Sequence, residues 1–550
     1  MRIKNNLTLV ILCWAVFLIL CYVLFEQGIW RGHDWLVHFQ RMISLNYELN
    51  GGQIPPLFDY WTPGQFGYSW QLFYPPLSSW LFLLTRIITF ETANTLVQMK
   101  IVFLIIFIIA FMSAYYAAKR QHGSAAAGYL CAILFVTSGY FLTNIFVRFA
   151  LGEILAMSFM PLFLRGCSSL LEDRKDIWLI PFTTLAIALS NIPSIVVMAI
   201  FFVLFFVMNA KTLTTKQNIK FFMFSLLVIL TLSAFYWLPL LYHIRHSEIF
   251  ATSGKLLNYN DLFKFSSGVA ENIFSMSSRY GASNHGMYLS IGIIQLILLL
   301  AYLWRGESHQ AKKILLVALL FIAISTHLFP WYLIPSHFPI IKLIQFPWRL
   351  LSCATAIVAL YTAGMLAGIM QRKPALVTML AVLCIAGMFL PMRTAITHRH
   401  LTLDPIAIWD DYLNNSSERP ENFDHLKIND FAFFANKNAL ISNTVMVDGY
   451  PEMTIAAQGQ QLVTLPFIMY SGYYVMVDDK KTSVSPLDNG LVGVLLADGE
   501  HKVRLAYNIS IVMLPRLISM ISLFILLIFI ICRHRRLIRG FIVSQRFSQM

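Results

Sequence analysis

"YPPLSSWLFLLTRIITF" occupies residues 74–90 and decides how the chain is threaded. It is apolar enough to enter a bilayer, yet it falls short of the ~20 residues a spanning helix needs. If it crosses the membrane, every later loop changes sides. The basic residues discriminate between the two threadings. They fall in clusters between apolar runs: "KR" at 119–120, "DRK" at 173–175, Lys211, Lys216 and Lys220, Arg305 with Lys312 and Lys313, "RK" at 372–373, and "RHRRLIR" at 533–539. Cytoplasmic loops collect Lys and Arg. With the N-terminus inside and 74–90 not spanning, every cluster lies on the cytoplasmic side. With 74–90 spanning, the loop at 119–120 fails. The stretch therefore reads as an interfacial helix, entered through Pro75-Pro76, that returns the chain to the outer face.

The 550 residues are 58% hydrophobic and 12% charged, against about 25% charged in a soluble domain. Apolar runs near 7–25, 98–118, 125–143, 154–171, 177–190, 192–208, 218–243, 287–304, 311–329, 348–370, 374–392 and 511–532 read as spans. That makes a polytopic α-helical membrane protein of about twelve spans with both ends inside. "SNIPS" at 190–194 turns a tight helical hairpin between two of them. The net charge of +14 does not point to nucleic acid, because the positive charge is distributed as loop clusters. The seven cysteines lie in or beside apolar runs without a CxxC pair, which argues against a disulfide framework or zinc site. The basic N-terminus precedes an apolar run without a small-residue cleavage site, and reads as an uncleaved first span.

Four outer segments are long: about 26–97, 244–286, 330–347 and 393–510. The last contains "TVMVDG", "QLVTLPFIMYSGYYVMVDD" and "HKVRLAYNIS", alternating runs separated by Gly, Asp-Asn and Pro turns. Period-two alternation predicts strands, here a small extracytoplasmic β-sandwich, jelly-roll-like, before the last span. Its first part, Asp404 to Phe434, is polar with a short helical look. The chain thus divides into a transmembrane module at 1–392 with its first outer loop at 26–97, a β-rich domain at 393–510, and a last span with a basic tail at 511–550.

Polar residues in the outer segments are the candidates for chemistry. In "GHDWLVHFQR" (32–41), helical spacing puts Trp35, Leu36, Phe39, Met42 and Ile43 on one face. Asp34, His38 and Arg41 fall on the other, either as a solvated face at the membrane surface or as a site. "VRFALGEILAMSFMPL" (147–162) places Arg148 and Glu153 in a short outer connection, where Glu153 either serves a helix N-terminus with Arg148 as its ion-pair partner or joins the site. In "IQFPWRLLSCATAIV" (344–358), Arg349 stands at the outer start of a span. It either snorkels to the interface or offers its planar fork of donors to a phosphate. "SSRYGASNHGMY" (277–288) adds Arg279, Tyr280 and His285 in a polar loop or plain connector. "DYWTPGQFGYSWQLFYPPL" (59–77) adds Asp59 and a dense aromatic set, suited either to the headgroup zone or to stacking on sugar rings.

"GHDWLVHFQR", "NGGQIPPLFDYWTPGQFG" (50–67) and "FYPPL" (73–77) resemble the first outer loop of GT-C-fold glycosyltransferases. The nearest resemblance is to bacterial YfhO-like and 6-pyruvoyl-tetrahydropterin synthase-related membrane proteins. "RFALGEILAMSFMPL", "SNIPS", "AFYWLPLL", "FPWRLL" and "SGYYVMVDDKKTSV…LADGEHKVRLAYN" resemble later landmarks of that group, in order, over most of the chain. Nothing resembles the metal-binding histidine set of a soluble pterin enzyme. The resemblance implies a GT-C-like module in the bacterial plasma membrane with an extracytoplasmic active site. It implies a polyprenyl-phosphate sugar donor and an envelope polymer or lipid acceptor. It makes Asp34 the catalytic base, with His33 standing where many such enzymes carry a second acid. Arg349, Arg279, Arg41 and Arg148 would hold the donor phosphate. Glu153 would orient acceptor or donor, or join a metal, and His38 would tune Asp34 or bind the phosphate. His33, Asp59, Tyr280 and His285 would support the substrates. A divalent metal is compatible with this chemistry but not required by it. Membrane lipids are partners, and nucleic acid is not.

A transporter or flippase of lipid-linked sugars is the rival reading. Transporters place their polar groups mid-membrane in broken helices, often in repeated halves, whereas here the polar groups mark outer loops and no repeat is visible. A non-catalytic envelope scaffold presenting the β domain is the third.

Overall fold

The computed structural model describes residues 2–30, 32–61, 66–247, 249, 259–278, 286–306, 308–334, 338–397, 399–400 and 439–547. Local signals set the helix boundaries. After α1 (Arg2–Phe25), α2 (Trp35–Asn50) and α3 (Leu77–Ile88), α4 (Thr95–His122) is capped by the Asn94 side chain, which accepts from the Val97 amide. It stops at Gly123 in the left-handed conformation. Ser124 caps α5 (Ala125–Val136), and Ser138 caps α6 (Gly139–Phe146). Next come α7 (Leu151–Leu171), α8 (Leu179–Ala188) and α9 (Ile192–Met208). The "SNIPS" turn is the expected hairpin between α8 and α9, with the Asn191 side-chain Oδ1 accepting from both the amide and hydroxyl of Ser194. Further helices are α10 (Lys216–Leu232), α11 (Ala234–His246), α12 (Ile293–Arg305), α13 (His309–Ile324), α14 (Leu350–Arg372), α15 (Pro374–Gly387) and α16 (Ser510–Phe547).

Among the described residues six helical stretches are long and apolar enough to cross a membrane: Asn6–Phe25, Thr95–His122, Leu151–Leu171, Pro347–Arg372, Pro374–Arg393 and Ser510–Cys532. Two bent pairs bring the number to as many as eight. The runs at 125–143 and 218–243, which read as single spans, are broken: α5 and α6 meet at 51°, and α10 and α11 at 71°. The runs at 177–190, 287–304 and 311–329 yield helices of 10, 13 and 16 residues. Hydropathy continues through a hydroxyl-capped break, so a sequence count of spans exceeds the count of long helices. The decisive stretch at 74–90 forms the 12-residue α3, about 18 Å at 1.5 Å per residue and too short to cross. Its first amide donates to the Leu189 carbonyl of the α8–α9 hairpin at 2.9 Å.

The basic clusters at 119–120 and 173–175 meet at one end of α7. There Asp176 accepts from Arg120 at 3.0 Å and from Arg165 at 2.8 Å, and Arg165 also pairs with Glu172 at 2.5 Å. Glu153 lies at the other end of the same helix.

The β-rich region precedes α16. Its strands are β3 (Ala439–Val447), β4 (Tyr450–Ala457), β5 (Gln461–Ile468), β6 (Tyr473–Val477), β7 (Lys480–Ser483), β8 (Ser485–Pro486), β9 (Leu491–Leu496) and β10 (Gly499–Tyr507), following a short pair of β1 (Ile29–Trp30) with β2 (Arg399–His400). They form one antiparallel five-stranded sheet ordered β3-β4-β10-β6-β7 and a three-stranded sheet ordered β8-β9-β5. Alternate residues are buried, as the period-two pattern requires: Met453 and Ile455 in β4, Val463, Leu465 and Phe467 in β5, and Val503 and Leu505 in β10. The polar stretch Asp404 to Phe434 lies outside the described residues.

This region grips the first loop. The Gln53 side chain donates to the Phe58 and Gly449 carbonyls and accepts from the Leu57 and Phe58 amides. Tyr60 and Tyr473 share a hydrogen bond at 2.8 Å, and the Ile468 amide donates to the Phe66 carbonyl at 2.8 Å. Phe58 packs its ring 4.8 Å from that of Tyr473 and 4.9 Å from that of Tyr507. The aromatic set of 59–77 is therefore largely interior: Tyr60, Tyr68, Trp70 and Phe73 are buried, not displayed to headgroups or sugars.

Candidate active site

The site begins where the chain enters α2. Gly32 presses against the α6–α7 connection: a Cβ there would stand 2.5 Å from the Phe149 Cβ and 3.2 Å from the Arg148 carbonyl carbon. Only glycine permits this approach. The amides of His33 and Asp34 then donate to the Val147 and Arg148 carbonyls at 3.0 and 2.8 Å. Phe149, between them and α7, holds φ at +58°, a left-handed conformation that a bulky residue adopts only when its surroundings enforce it. Trp30 and Phe103 pack on its ring at 5.2 and 4.6 Å.

Across this junction sits a buried ion cluster. Glu153, in the first turn of α7, accepts from Arg148 Nη1 at 2.7 Å and from Arg349 Nε at 2.9 Å on one carboxylate oxygen, and from the Tyr140 hydroxyl on the other. Arg148 Nη1 also donates to Asn144. Arg349 Nη1 donates to the Ile344 carbonyl and the Gln345 side chain. The three charged side chains are 1–9% exposed. Two guanidiniums against one carboxylate leave one positive charge unbalanced, and the Nη2 groups of both arginines have no partner among the described residues.

Asp34 faces that surplus. It occupies the N-cap position of α2, yet its side chain makes no capping bond. Burial pushes its carboxyl upward from the ordinary aspartate range. Arg148, His33 and Arg349 oppose that push, and Glu153 adds to it. The polar stripe continues down α2, but it is not a solvated face. His38 and Arg41 are 5% and 4% exposed. Burial, and then Arg41, push His38 down to about 3, so at neutral pH it is an uncharged imidazole and not a cationic phosphate ligand. Its Nδ1 has no partner among the described residues. Arg41 stacks on Tyr74 at 4.3 Å and Trp70 at 5.5 Å.

The sequence candidates therefore separate. Asp34, Arg148, Glu153 and Arg349 come together, with His33 exposed at their edge and His38 and Arg41 in the next layer. Asp59 belongs elsewhere: it is buried beside Glu48, whose carboxyl is held by Ser44 and Gln71 at 2.5 Å each. Arg279, Tyr280 and His285 lie outside the described residues. Glu153 does not fit a metal-ligand role, because both its oxygens are engaged and a cation would meet two guanidiniums. Among the described residues no group of three or more His, Cys, Asp or Glu side chains gathers to hold a metal. Sequence reasoning missed Tyr140, Asn144 and Gln345. The first two stand eight and four residues before Arg148, on the helical spacing that would have disclosed them.

The family model of the 6-pyruvoyl-tetrahydropterin synthase related domain, described as a membrane protein, matches residues 72–397. That range includes Arg148, Glu153 and Arg349 and begins after Asp34. An uncharacterized protein of Lactococcus lactis subsp. cremoris (strain MG1363) is 23% identical over 343 residues, 60% of this chain and 55% of its own. The chain thus spans about half the length of that curated relative. Two solved structures are similar. ArnT from Cupriavidus metallidurans bound to undecaprenyl phosphate is 12% identical, with a TM-score of 0.40 over 70% of this chain and 76% of that one. The archaeal oligosaccharyltransferase AglB from Archaeoglobus fulgidus, in complex with an inhibitory peptide and a dolichol-phosphate, is 14% identical, with a TM-score of 0.38 over 71% and 55%.

Proposed function

The chain belongs to the 6-pyruvoyl-tetrahydropterin synthase related family of membrane proteins, and we propose that this member is a membrane glycosyltransferase. In this reading it moves a sugar from a polyprenyl-phosphate donor to a cell-envelope glycopolymer or glycolipid, on the extracytoplasmic face of the bacterial plasma membrane. One observation carries the proposal: an N-cap carboxylate that does not cap, Asp34, beside a buried surplus of positive charge at Arg148 and Arg349.

The acceptor hydroxyl oxygen attacks the anomeric carbon, and the bond from that carbon to the phosphate oxygen breaks. The hydroxyl proton passes to Asp34, whose raised proton affinity suits a general base. The electron pair stays on the departing phosphate, where the Nη2 groups of Arg148 and Arg349 offer charge-assisted donors. Glu153 positions both guanidiniums through the bonds it accepts. His38, neutral and packed between Tyr74 and Phe149, lines the base side of the site. The threading that puts these groups outside, with about twelve spans and both ends inside, is part of the proposal. So is the division into 1–392, 393–510 and 511–550.

Purified protein in vesicles, given labelled polyprenyl-phosphate sugar and an envelope acceptor extract, should release polyprenyl phosphate and form a labelled product. Labelled donor that crosses the bilayer unchanged, with no release, would identify a transporter instead.

A further inference from the structure

A cavity of about 650 Å³ opens on the flank of the helical body, between α3, α8, the α10–α11 bend and α16. Leucines, prolines and aromatics dominate its walls, among them Leu189, Phe235, Pro239 and Leu523. Trp70 and Tyr74 also line it, and they are the rings that carry Arg41. Tyr74 reaches further: its hydroxyl would lie 2.5 Å from a Cβ at Gly152, the residue before Glu153. The cavity therefore ends one aromatic layer from the ion cluster.

Among the described residues, the one arginine on its wall is Arg516 on α16. Arg516 stands six residues into a stretch long and apolar enough to span, about 9 Å along the helix at 1.5 Å per residue. It is half-buried, and among the described residues no carboxylate, carbonyl or ring engages its guanidinium. Three other buried arginines are treated differently: Arg148, Arg165 and Arg349 each meet a carboxylate within 3 Å. The nearby Ser519 hydroxyl is already committed to the Thr231 carbonyl and the Phe235 amide. An unpaired cation among apolar walls is expensive, and a ligand that is anionic at one end and apolar along its body relieves both conditions. Leu517, Ile521 and Phe524 on the same helix are exposed, which in a membrane protein leaves α16 bordered by lipid. A free phosphate ion gains nothing from walls of leucine and phenylalanine.

We propose that this cavity is a lateral binding site for an anionic lipid, with the lipid phosphate on Arg516 and the apolar chain along Leu189, Phe235 and Leu523. It is a second phosphate position, separate from the Arg148–Arg349 pair. As a substrate subsite it rests on the glycosyltransferase reading; as a lipid site it rests on the cavity and the charge alone. The test uses full-length protein in phosphatidylcholine nanodiscs titrated with undecaprenyl phosphate, with bound lipid read by native mass spectrometry. Arg516→Gln should weaken binding about tenfold or more. Arg516→Lys should keep most of it, Leu189→Trp should abolish binding at this position by filling the cavity while leaving any lipid bound at the Arg148–Arg349 pair, and inorganic phosphate should not compete at it. Asp34→Asn should bind as wild type even where transfer is lost, which separates failure of this site from failure of the catalytic reading. Wild-type binding by both Arg516→Gln and Leu189→Trp would overturn the proposal and leave Arg516 a snorkelling side chain. Competition by inorganic phosphate would overturn the lipid assignment.

Discussion

Asp34 leaves the first amides of α2 without its help, although an aspartate there ordinarily contributes about 1 kcal/mol by capping. In the proposed mechanism its carboxylate serves instead as the base, and its raised proton affinity has a visible consequence. The base form exists above the pKa, so the transfer rate should fall as pH is lowered through a midpoint higher than that of a solvated aspartate. A pH–rate profile flat through the acid range would contradict it. Glu153 is the counter-case, a carboxylate fully used by its neighbours. Glu153→Gln leaves two buried guanidiniums without their anion and should cost about 3–5 kcal/mol, read as a lowered melting temperature in nanodiscs; an unchanged melt would remove the cluster from the account. Glu48 differs again. Burial, followed by the charge of Asp59, holds its carboxyl well above the usual range, against the Ser44 hydrogen bond. A raised carboxyl stabilises the fold fully below the unfolded pKa and loses that contribution as pH rises toward the folded one. Glu48→Gln should therefore make stability decline less as pH rises above the ordinary glutamate range, as thermal melts across pH would record.

At the scale of elements, the α2 stripe was legible and its surroundings were not. Spacing alone put Asp34, His38 and Arg41 on one face, but whether water or protein covers that face depends on Phe149, Tyr74 and Trp70, which arrive from distant parts of the chain. α3 was legible because its length and the charge parity of later loops agree. The breaks at Ser138 and Ser233 were not, because a serine in an apolar run leaves the hydropathy high while its hydroxyl or backbone ends one helix and begins another. The hold of the β-rich region on the first loop was also invisible, since Gln53 and Gly449 are 396 residues apart. Gln53→Ala strands the partners of a buried amide and should cost about 1–3 kcal/mol. Hydrogen exchange should rise at both 53–60 and 449–473; faster exchange on one side only would mean the two are not coupled through this residue.

At the scale of the whole molecule, α7 joins two polar ends: Glu153 with its arginines at one, and Arg165 with Asp176 and Glu172 at the other. Polar groups gathered at helix ends, with apolar packing between, suit an enzyme that works at a membrane surface better than a carrier with a mid-membrane site. The sequence made the membrane class and the β strands accessible, and singled out Asp34 as a candidate, because composition, periodicity and motif order are local properties. It could not assemble the cluster, which needs residues from the first loop, α6, α7 and the start of α14 to meet. The central claim is that Asp34 accepts the proton in sugar transfer, and its most direct test compares wild type with Asp34→Asn in vesicles supplied with polyprenyl-phosphate sugar and acceptor. The account predicts a folded protein whose transfer rate is lower by about 10²–10⁴-fold; a folded Asp34→Asn protein that transfers at the wild-type rate would contradict it.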